Sequence, residues 1–429
     1  MGLVLVARRC AGPRLMTDLE ALYRAILDHP DDDTPRLIYA DALEDTGAAD
    51  RAAFIRLQVE AARCEEYDPP AIRVRCFRGN APPGIDWLAE LPDLPDGLRW
   101  ATPPFRRGFP AEIEARDGAA FVAHAESLFA LAPVDSLRFD ATRVAEADAL
   151  VACRSLGRIT RLEYPEGLSG PFARQLLNSP HLTRLTELVV GPRMTVQAAA
   201  QALVRSRAFS RLTALSWRDD HRRGGSIVTE LSRHPQPPML KRLDLSGNRI
   251  TAERVTRLVA APVFAVVEVL NLSDNNLGPE GLQALAAARL PQLRSLHLGQ
   301  SRPEEEGTRA LVEADFFGNL RSLNLTSNNL GGWAARALAQ APAAAGLRVL
   351  DLHDNRLGDT GAVALAASPY LAGLLHLDLA GNDLGDSAAQ ALVVSPHLGE
   401  LIALDLGGNP LSDSARDRLR ERFGERVLL

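Results

Sequence analysis

The chain has 429 residues, of which 46% are hydrophobic, 24% charged and 5% aromatic, with a formal net charge of −6. Such a length excludes a single small module, and the balance excludes a wholly disordered, collagenous or fibrous chain. With so few aromatics the core must be packed by Leu, Ala and Val, and the net acidity disfavours a strongly basic nucleic-acid binder.

The first residues, MGLVLVARRC, set an apolar stretch ahead of Arg8 and Arg9, the reverse of a secretory signal. Residues 1–15 are therefore expected to form an unstructured extension, with Met16 as an alternative start. No apolar run approaches the ~20 residues that cross a bilayer. Cys10, Cys64, Cys76 and Cys153 form no C-x-x-C pair, and four thiols in so long a chain fit a reducing cytoplasm.

Residues 16–64 read as a small all-α module. MTDLEALYRAILDHP places Leu19, Leu22 and Ile26 at helical spacing before Pro30. In TPRLIYADALEDTG, Thr34 suits an N-cap, Pro35 the first helical position and Gly47 the residue past the end. A third helix carries Phe54, Leu57 and Ala61 on one face. Asp31, Asp32 and Asp33 suit a helix N-terminus. Asp41, Glu44 and Asp45 fall late in the second helix, where negative charge is unfavourable, and are the better candidates for a contact surface of this head.

Residues 65–108 hold eight prolines, including Pro82 and Pro83, and read as a connector. Trp87, Trp100 and Phe105 make it too apolar for a free tether, so it is expected to pack on the first repeat and protect the open strand edge.

From residue 109 to 412 the sequence is periodic. LKRLDLSGNRI, VEVLNLSDNNL, LRSLHLGQSRP, LRSLNLTSNNL, LRVLDLHDNRL, LLHLDLAGNDL and LIALDLGGNPL share one pattern, and their second leucines, Leu243, Leu270, Leu296, Leu323, Leu350, Leu377 and Leu404, recur at steps of 26 or 27. Weaker copies at Leu137, Leu162, Leu188 and Leu215, with a first strand near Ile113, bring the count to about twelve. In L-x-L the leucines face the core and the residue between them faces out. The segment after the turn supplies a helix; in one copy Val363, Leu365 and Ala366 are placed inward, before Pro369 ends it. A strand-helix unit cannot bury its apolar face alone, so parallel copies should stack into a curved α/β solenoid. Residues 413–429, with Arg416, Arg418, Arg420 and Arg422 among acids, read as a polar capping helix.

These motifs resemble leucine-rich repeats of the ribonuclease-inhibitor-like class, with a full helix per repeat. The resemblance implies an α/β right-handed solenoid with a parallel concave sheet and convex helices. It also implies that Asn248, Asn275, Asn328, Asn355, Asn382 and Asn409 form a structural ladder bonding the turn backbones of neighbouring repeats. Ser301, in GQSRPEEEG, interrupts that ladder and predicts one irregular loop. The stretch HPDDDTPRLIYADALEDTG with RAAFIRLQ resembles the bacterial repeat-companion domain, a module found ahead of repeat arrays.

The chain has no phosphate-loop, dinucleotide, H-E-x-x-H or G-x-S-x-G motif, and Lys241 is its only lysine, which disfavours Schiff-base chemistry. No catalytic residue, cofactor or metal is expected. The outward strand residues Asp244, Asn271, His297, Asn324, Asp351, Asp378 and Asp405 form a polar to acidic stripe suited to a basic protein surface; Arg138, Glu163, Val189 and Ser216 precede them. Charge is uneven: −6 over 16–64, +5 over 134–240 and −4 over 241–429. The basic part is densest at Arg205, Arg207, Arg211, Arg218, Arg222 and Arg223, near Trp217. The expected function is a non-enzymatic, cytoplasmic protein-protein interaction scaffold that takes a protein partner on its concave face, with no membrane contact and nucleic acid disfavoured. The alternatives are an enzyme regulator such as a GTPase-activating protein, implied by resemblance to the Ran activator, and nucleic-acid binding through the basic early repeats.

Overall fold

A three-residue strand has little room for inward side chains, and in the computed structural model its middle, buried place is taken by the periodic leucine in every repeat from Leu243 to Leu404. The structure describes residues 13–76, 87, 91–140, 147–192, 197–218, 226–234 and 239–429. It divides into two compact units, 1–189 and 190–429. The expected extension lies mostly in 1–12, outside the described residues, as do Pro82, Pro83, Arg222 and Arg223; the first helix already begins at Pro13.

In the first unit, α1 (Pro13–Asp28), α2 (Thr34–Asp45), α3 (Ala49–Ala62) and α4 (Pro69–Cys76) precede the strands. β1 (Leu98–Trp100) runs antiparallel to β4 (Glu112–Ala115), pairing Trp100 with Ile113, and a short hairpin joins β2 (Phe105–Arg106) to β3 (Phe109–Pro110). β4, β5 (Ser136–Phe139) and β6 (Arg161–Tyr164) are parallel, with Ile113, Leu137 and Leu162 in register; β7 (Glu187–Val190) follows. Asp117 caps the intervening helix α5 (Gly118–Leu131) by accepting the Ala120 amide at 2.8 Å.

The helical region packs around a residue from outside it. Leu19, Tyr23 and Ile26 of α1, Tyr39, Ala40 and Leu43 of α2, and Ala52, Ile55 and Val59 of α3 enclose Phe109. The buried face of α3 is thus Ala52, Ile55 and Val59 together with Phe54, whereas Leu57 and Ala61 are only half-buried, and in α1 Tyr23 takes the place expected of Leu22. Phe109, 5.4 Å from Tyr39 and edge-on to it, decides these faces. The cap of α2 also shifts by one residue: Asp33 is the N-cap, and the Thr34 amide donates to Asp32 Oδ1 at 2.8 Å.

Gly108, next to Phe109, is held at both peptide groups. Its N–H donates to Gln58 Oε1 at 2.7 Å and its carbonyl accepts from Arg51 Nη2 at 2.6 Å. The Arg51 guanidinium in turn lies over Phe54, Trp87 and Phe105, at 5.3, 4.6 and 5.0 Å from their centroids. Four further bonds tie α1 and its following loop to the repeats of this unit: Tyr23 Oη to the Leu131 carbonyl at 2.8 Å, Arg158 to the Leu27 carbonyl at 2.8 Å, and Arg184 to both oxygens of Asp31 at 2.6 and 2.5 Å.

In the second unit, β8 (Ala214–Trp217), β9 (Arg242–Asp244), β10 (Val269–Asn271), β11 (Ser295–His297), β12 (Ser322–Asn324), β13 (Val349–Asp351), β14 (His376–Asp378), β15 (Ala403–Asp405) and β16 (Val427–Leu428) are parallel neighbours in chain order. Leu215, Leu243, Leu270, Leu296, Leu323, Leu350, Leu377 and Leu404 stand in register at the buried position. A helix or helical turn crosses between successive strands. In the helix Gly358–Ala366 the buried positions are Ala362, Leu365 and Ala366, while Val363 is 44% exposed. The inward stripe at i, i+3 and i+4 takes alanine and leaves the larger valine outside it. The final helix, Asp413–Phe423, buries Ala415, Leu419 and Phe423, and is capped by Ser412 accepting the Ala415 amide. β16 then extends the sheet beyond it.

Gly108 has φ +82°, and a Cβ there would lie 2.7 Å from Ile55 Cα. Replacing it by alanine adds a left-handed penalty to a backbone overlap, so Gly108→Ala is expected to cost about 2–4 kcal/mol in thermal or denaturant unfolding. Gly399→Ala, where no atom lies within 4 Å of the new methyl, is the control and should change little.

Candidate partner-binding face

The outward residues of β9 to β15 are brought into one row. Asp244, Asn271, His297, Asn324, Asp351, Asp378 and Asp405 are successive register partners, all half-buried, on strands about 4.8 Å apart. Most of them also serve the turn that follows. Oδ1 of Asp244, Asn271, Asn324, Asp351, Asp378 and Asp405 accepts the backbone N–H of the residue two positions on, at 2.9 to 3.0 Å. This Asx turn gives L-D-L and L-N-L a local reason for their middle residue. His297 lacks it and shares a hydrogen bond of 3.0 Å with Ser295 Oγ instead.

What remains for a partner is therefore the other carboxylate oxygen, and the row is not uniform in that respect. Asp244 Oδ2 accepts from Ser216 Oγ at 3.0 Å. Asp351 Oδ2 accepts from Asn324 Nδ2 at 2.6 Å, and its Oδ1 also takes the Thr326 hydroxyl at 2.9 Å. Among the described residues no hydrogen bond occupies Oδ2 of Asp378 or Asp405. Burial pushes the Asp378 carboxyl up to about 6 against the lowering effect of the Ala380 amide; Asp351 and Asp405 push it further, and His353 opposes them. The His353 ring lies 3.8 Å from Asp378 Oδ1 and 3.0 Å from Asp354 Oδ2.

The strand face of the first unit is chemically different, because its charges are matched. Arg138 lies 3.5 Å from Glu114 and 3.7 Å from Glu163; Arg99 bonds Glu114 at 2.5 Å and Asp140 at 3.0 Å; Arg161 bonds Glu163 at 3.1 Å and also Glu187. Burial raises the Glu112 carboxyl beside them. Apart from Arg161 with Glu163, which share a strand, these pairs join different strands, so the sequence shows them only once the register is known.

Asn248, Asn275, Asn328, Asn355, Asn382 and Asn409 are all buried at the turns. Asn355 is representative: its Oδ1 accepts the amides of Asn328 and Leu330 at 3.0 and 2.9 Å, and its Nδ2 donates to the carbonyls of Leu325 and Leu352 at 3.0 and 2.9 Å. Ser301 stands where the row passes from Asn275 to Asn328 and brings no amide oxygen. There Gln300, Arg302 and Glu304 are all left-handed, with φ of 54°, 54° and 53°.

Of the head acids, Asp41 and Glu44 are both bonded by Arg56, at 2.7 and 2.6 Å, and Asp45 is exposed. Arg56 of α3 thus supplies the counter-charge that the end of α2 lacks. In the basic segment, Arg205, Arg207 and Arg211 are exposed and Arg218 bonds Ser246 Oγ at 3.1 Å, but Trp217 is fully buried and offers no stacking surface. Among the described residues no group of His, Cys, Asp and Glu is arranged to hold a metal ion, and no helix is long and apolar enough to cross a membrane.

The raised Asp378 carboxyl makes a signed prediction. The native state holds its proton up to about pH 6 while the unfolded chain releases it near pH 4, so this group lowers stability as pH rises through that window, fully above it. Asp378→Asn keeps the acceptor for Ala380 and removes the charge. It should raise the unfolding free energy at pH 7.5, by about 3 kcal/mol at most given two pK units, and change it little at pH 4. Equal effects at both pH values would contradict this account.

Five segments, 236–253, 266–286, 319–339, 347–366 and 374–393, match the family model described as Leucine Rich repeat. They do not include the stretch around Ser301. No curated protein matches the chain. Among solved structures, a chain of the yeast Rad7 and Elc1 complex is 17% identical, with 71% of this chain and 78% of that chain covered and a TM-score of 0.49. A Bacteroides fragilis protein is 15% identical, with 63% and 74% covered and a TM-score of 0.39. Human 5T4, the trophoblast glycoprotein also called Wnt-activated inhibitory factor 1, is 24% identical, with 51% and 78% covered and a TM-score of 0.36. Each matched segment carries one leucine of the in-register row and one asparagine of the ladder, so these five segments are leucine-rich repeats.

Proposed function

We propose that the chain is a non-enzymatic, cytoplasmic scaffold that captures a protein partner on the strand face of its second unit. The observation that carries this reading is the row from Asp244 to Asp405, which ends in three adjacent carboxylates of which Asp378 and Asp405 each keep an unoccupied oxygen. Two half-buried oxygens one strand apart suit an arginine or lysine of a basic partner surface, because a charge-assisted bond there is partly shielded from water. The row of seven strands gives area, and the two free carboxylates give the charge preference. Asp351 contributes through its field rather than by a direct bond, its oxygens being engaged by Asn324 and Thr326. The bacterial companion module and the contact role of Asp41, Glu44 and Asp45 belong to the same proposal: the head would add a second, weaker acidic surface, tempered by Arg56.

The test is affinity capture from native cytoplasm with the full chain and with the double variant Asp378→Asn and Asp405→Asn. Both substitutions preserve the turn acceptor, so folding is kept. A partner retained by the native chain should be lost or bound at least 10-fold more weakly by the variant. Retention of the same partner at the same affinity would remove the strand face as the site.

A further inference from the structure

The residue that follows each ladder position lies at the turn edge, outside the core and outside the strand face. From β9 to β14 these residues are Arg249, Asn276, Arg302, Asn329, Arg356 and Asp383, all exposed. Arginine therefore returns at every second repeat, three times in succession. Among the described residues no hydrogen bond or ion pair holds the guanidinium of Arg249, Arg302 or Arg356, nor the side-chain amide of Asn276 or Asn329. This is unlike Arg99, Arg138, Arg161 and Arg184, each of which is committed to a carboxylate. The turns are rigidly placed: Arg249 and Arg302 are left-handed at φ 50° and 54°, the Arg302 amide donates to Asn328 Oδ1 at 2.9 Å, and the Arg356 amide donates to the Leu330 carbonyl at 2.8 Å. Between the first two arginines the surface sinks into a cleft of about 600 Å³, floored in part by Asp274, Asn276, Gln300 and Ser327.

We propose that this turn edge binds an extended, acidic protein segment whose carboxylates recur about every 10 Å, one on each of Arg249, Arg302 and Arg356. Two strand spacings of about 4.8 Å set arginines about 10 Å apart. A polyproline II segment rises 3.1 Å per residue with three residues per turn, so every third side chain lies on one face at about 9.3 Å, which matches that interval. The guanidinium fork takes a carboxylate in two parallel bonds. Asn276 and Asn329, midway between arginines, each offer one donor and one acceptor to a peptide backbone that an extended chain leaves open and a helix would not. A nucleic-acid strand fits poorly, since its charges come every few ångströms while Asp274 and Asp354 interrupt the edge with charge of the same sign. The site is separate from the strand face and stands whether or not that face captures a partner.

The test uses the full chain and three fluorescein-labelled probes in polarisation titrations at low and physiological salt: a twelve-residue repeat of Glu-Pro-Pro, a peptide of the same composition with its glutamates in one block, and a twelve-nucleotide oligothymidylate. The triple variant Arg249→Asn, Arg302→Asn and Arg356→Asn places at these turns the residue that the alternate turns already carry, and asparagine tolerates the left-handed region, so it should fold as the native chain does. The Glu-Pro-Pro probe is expected to bind the native chain, to lose at least 10-fold in affinity on the triple variant, and to bind at least 5-fold more tightly than the block peptide. Asp378→Asn with Asp405→Asn should leave its binding unchanged, which separates this site from the strand face. No binding, equal binding by the triple variant, equal binding of the block peptide, or an arginine-dependent preference for the oligothymidylate would each overturn the proposal.

Discussion

A chain that leaves a three-residue strand and turns immediately inside a core strands several backbone amides away from water, and each left unpaired costs about 1–3 kcal/mol. In the second unit one asparagine per repeat answers that demand for two repeats at once. Asn355 accepts amides from the preceding turn while donating to carbonyls of both its own and the preceding repeat. The bond pattern works only if successive turns are superimposable, and this is a physical reason for the nearly constant step of the leucines. It also makes each repeat's stability a property of its junction with the next, as a linear array requires. At Ser301 the step is one residue shorter and the side chain has no amide. The backbone there turns through three left-handed residues within five, and the cleft opens beside it.

The same demand governs the strand face. An aspartate or asparagine between the two leucines accepts the amide two residues on, so its presence alone says nothing about a partner. The distinction between structural and available groups lies in the second oxygen. Asp244 and Asp351 have theirs engaged by Ser216 and Asn324, and among the described residues Asp378 and Asp405 do not. A stripe that looks uniform in sequence is therefore graded, with its available charge at one end.

How far the sequence can be read follows from which interactions are local. The leucine row, the asparagine row and the irregular turn at Ser301 are visible because each is set by spacing within one repeat. Val363 faces solvent, against the sequence expectation, because apolarity does not choose between a valine and an alanine that both fit the helical stripe; packing between neighbouring helices does, and it buries Ala362 and Ala366. The first unit hides more. Arg51 is buried among Phe54, Trp87 and Phe105, whereas an arginine in a helix ordinarily marks the solvent side. Asp41 and Glu44 look misplaced at the end of α2 until Arg56 arrives from α3, and Arg138, Arg161 and their acids meet only across strands. Cross-element pairing of this kind leaves no periodic trace.

Net charge is a poor guide to partners in a chain built this way. The −4 over residues 241–429 combines surfaces that a ligand meets separately. On the strand face carboxylates recur at every repeat from Asp351 to Asp405, while along the turn edge arginines with no partner among the described residues recur at every second repeat. The screening length in physiological salt is about 8 Å, shorter than the two-repeat interval between those arginines. Each guanidinium therefore acts as a discrete point rather than as part of a smooth field, and recognition there depends on spacing. The strand face has carboxylates one strand apart, inside that reach: burial is the main cause that lifts Asp378 to about 6, Asp351 and Asp405 add to it, and the face behaves instead as one patch. One repeat length thus yields two kinds of surface, distinguished by whether the period of the charges falls inside or outside the reach of the electrostatic field.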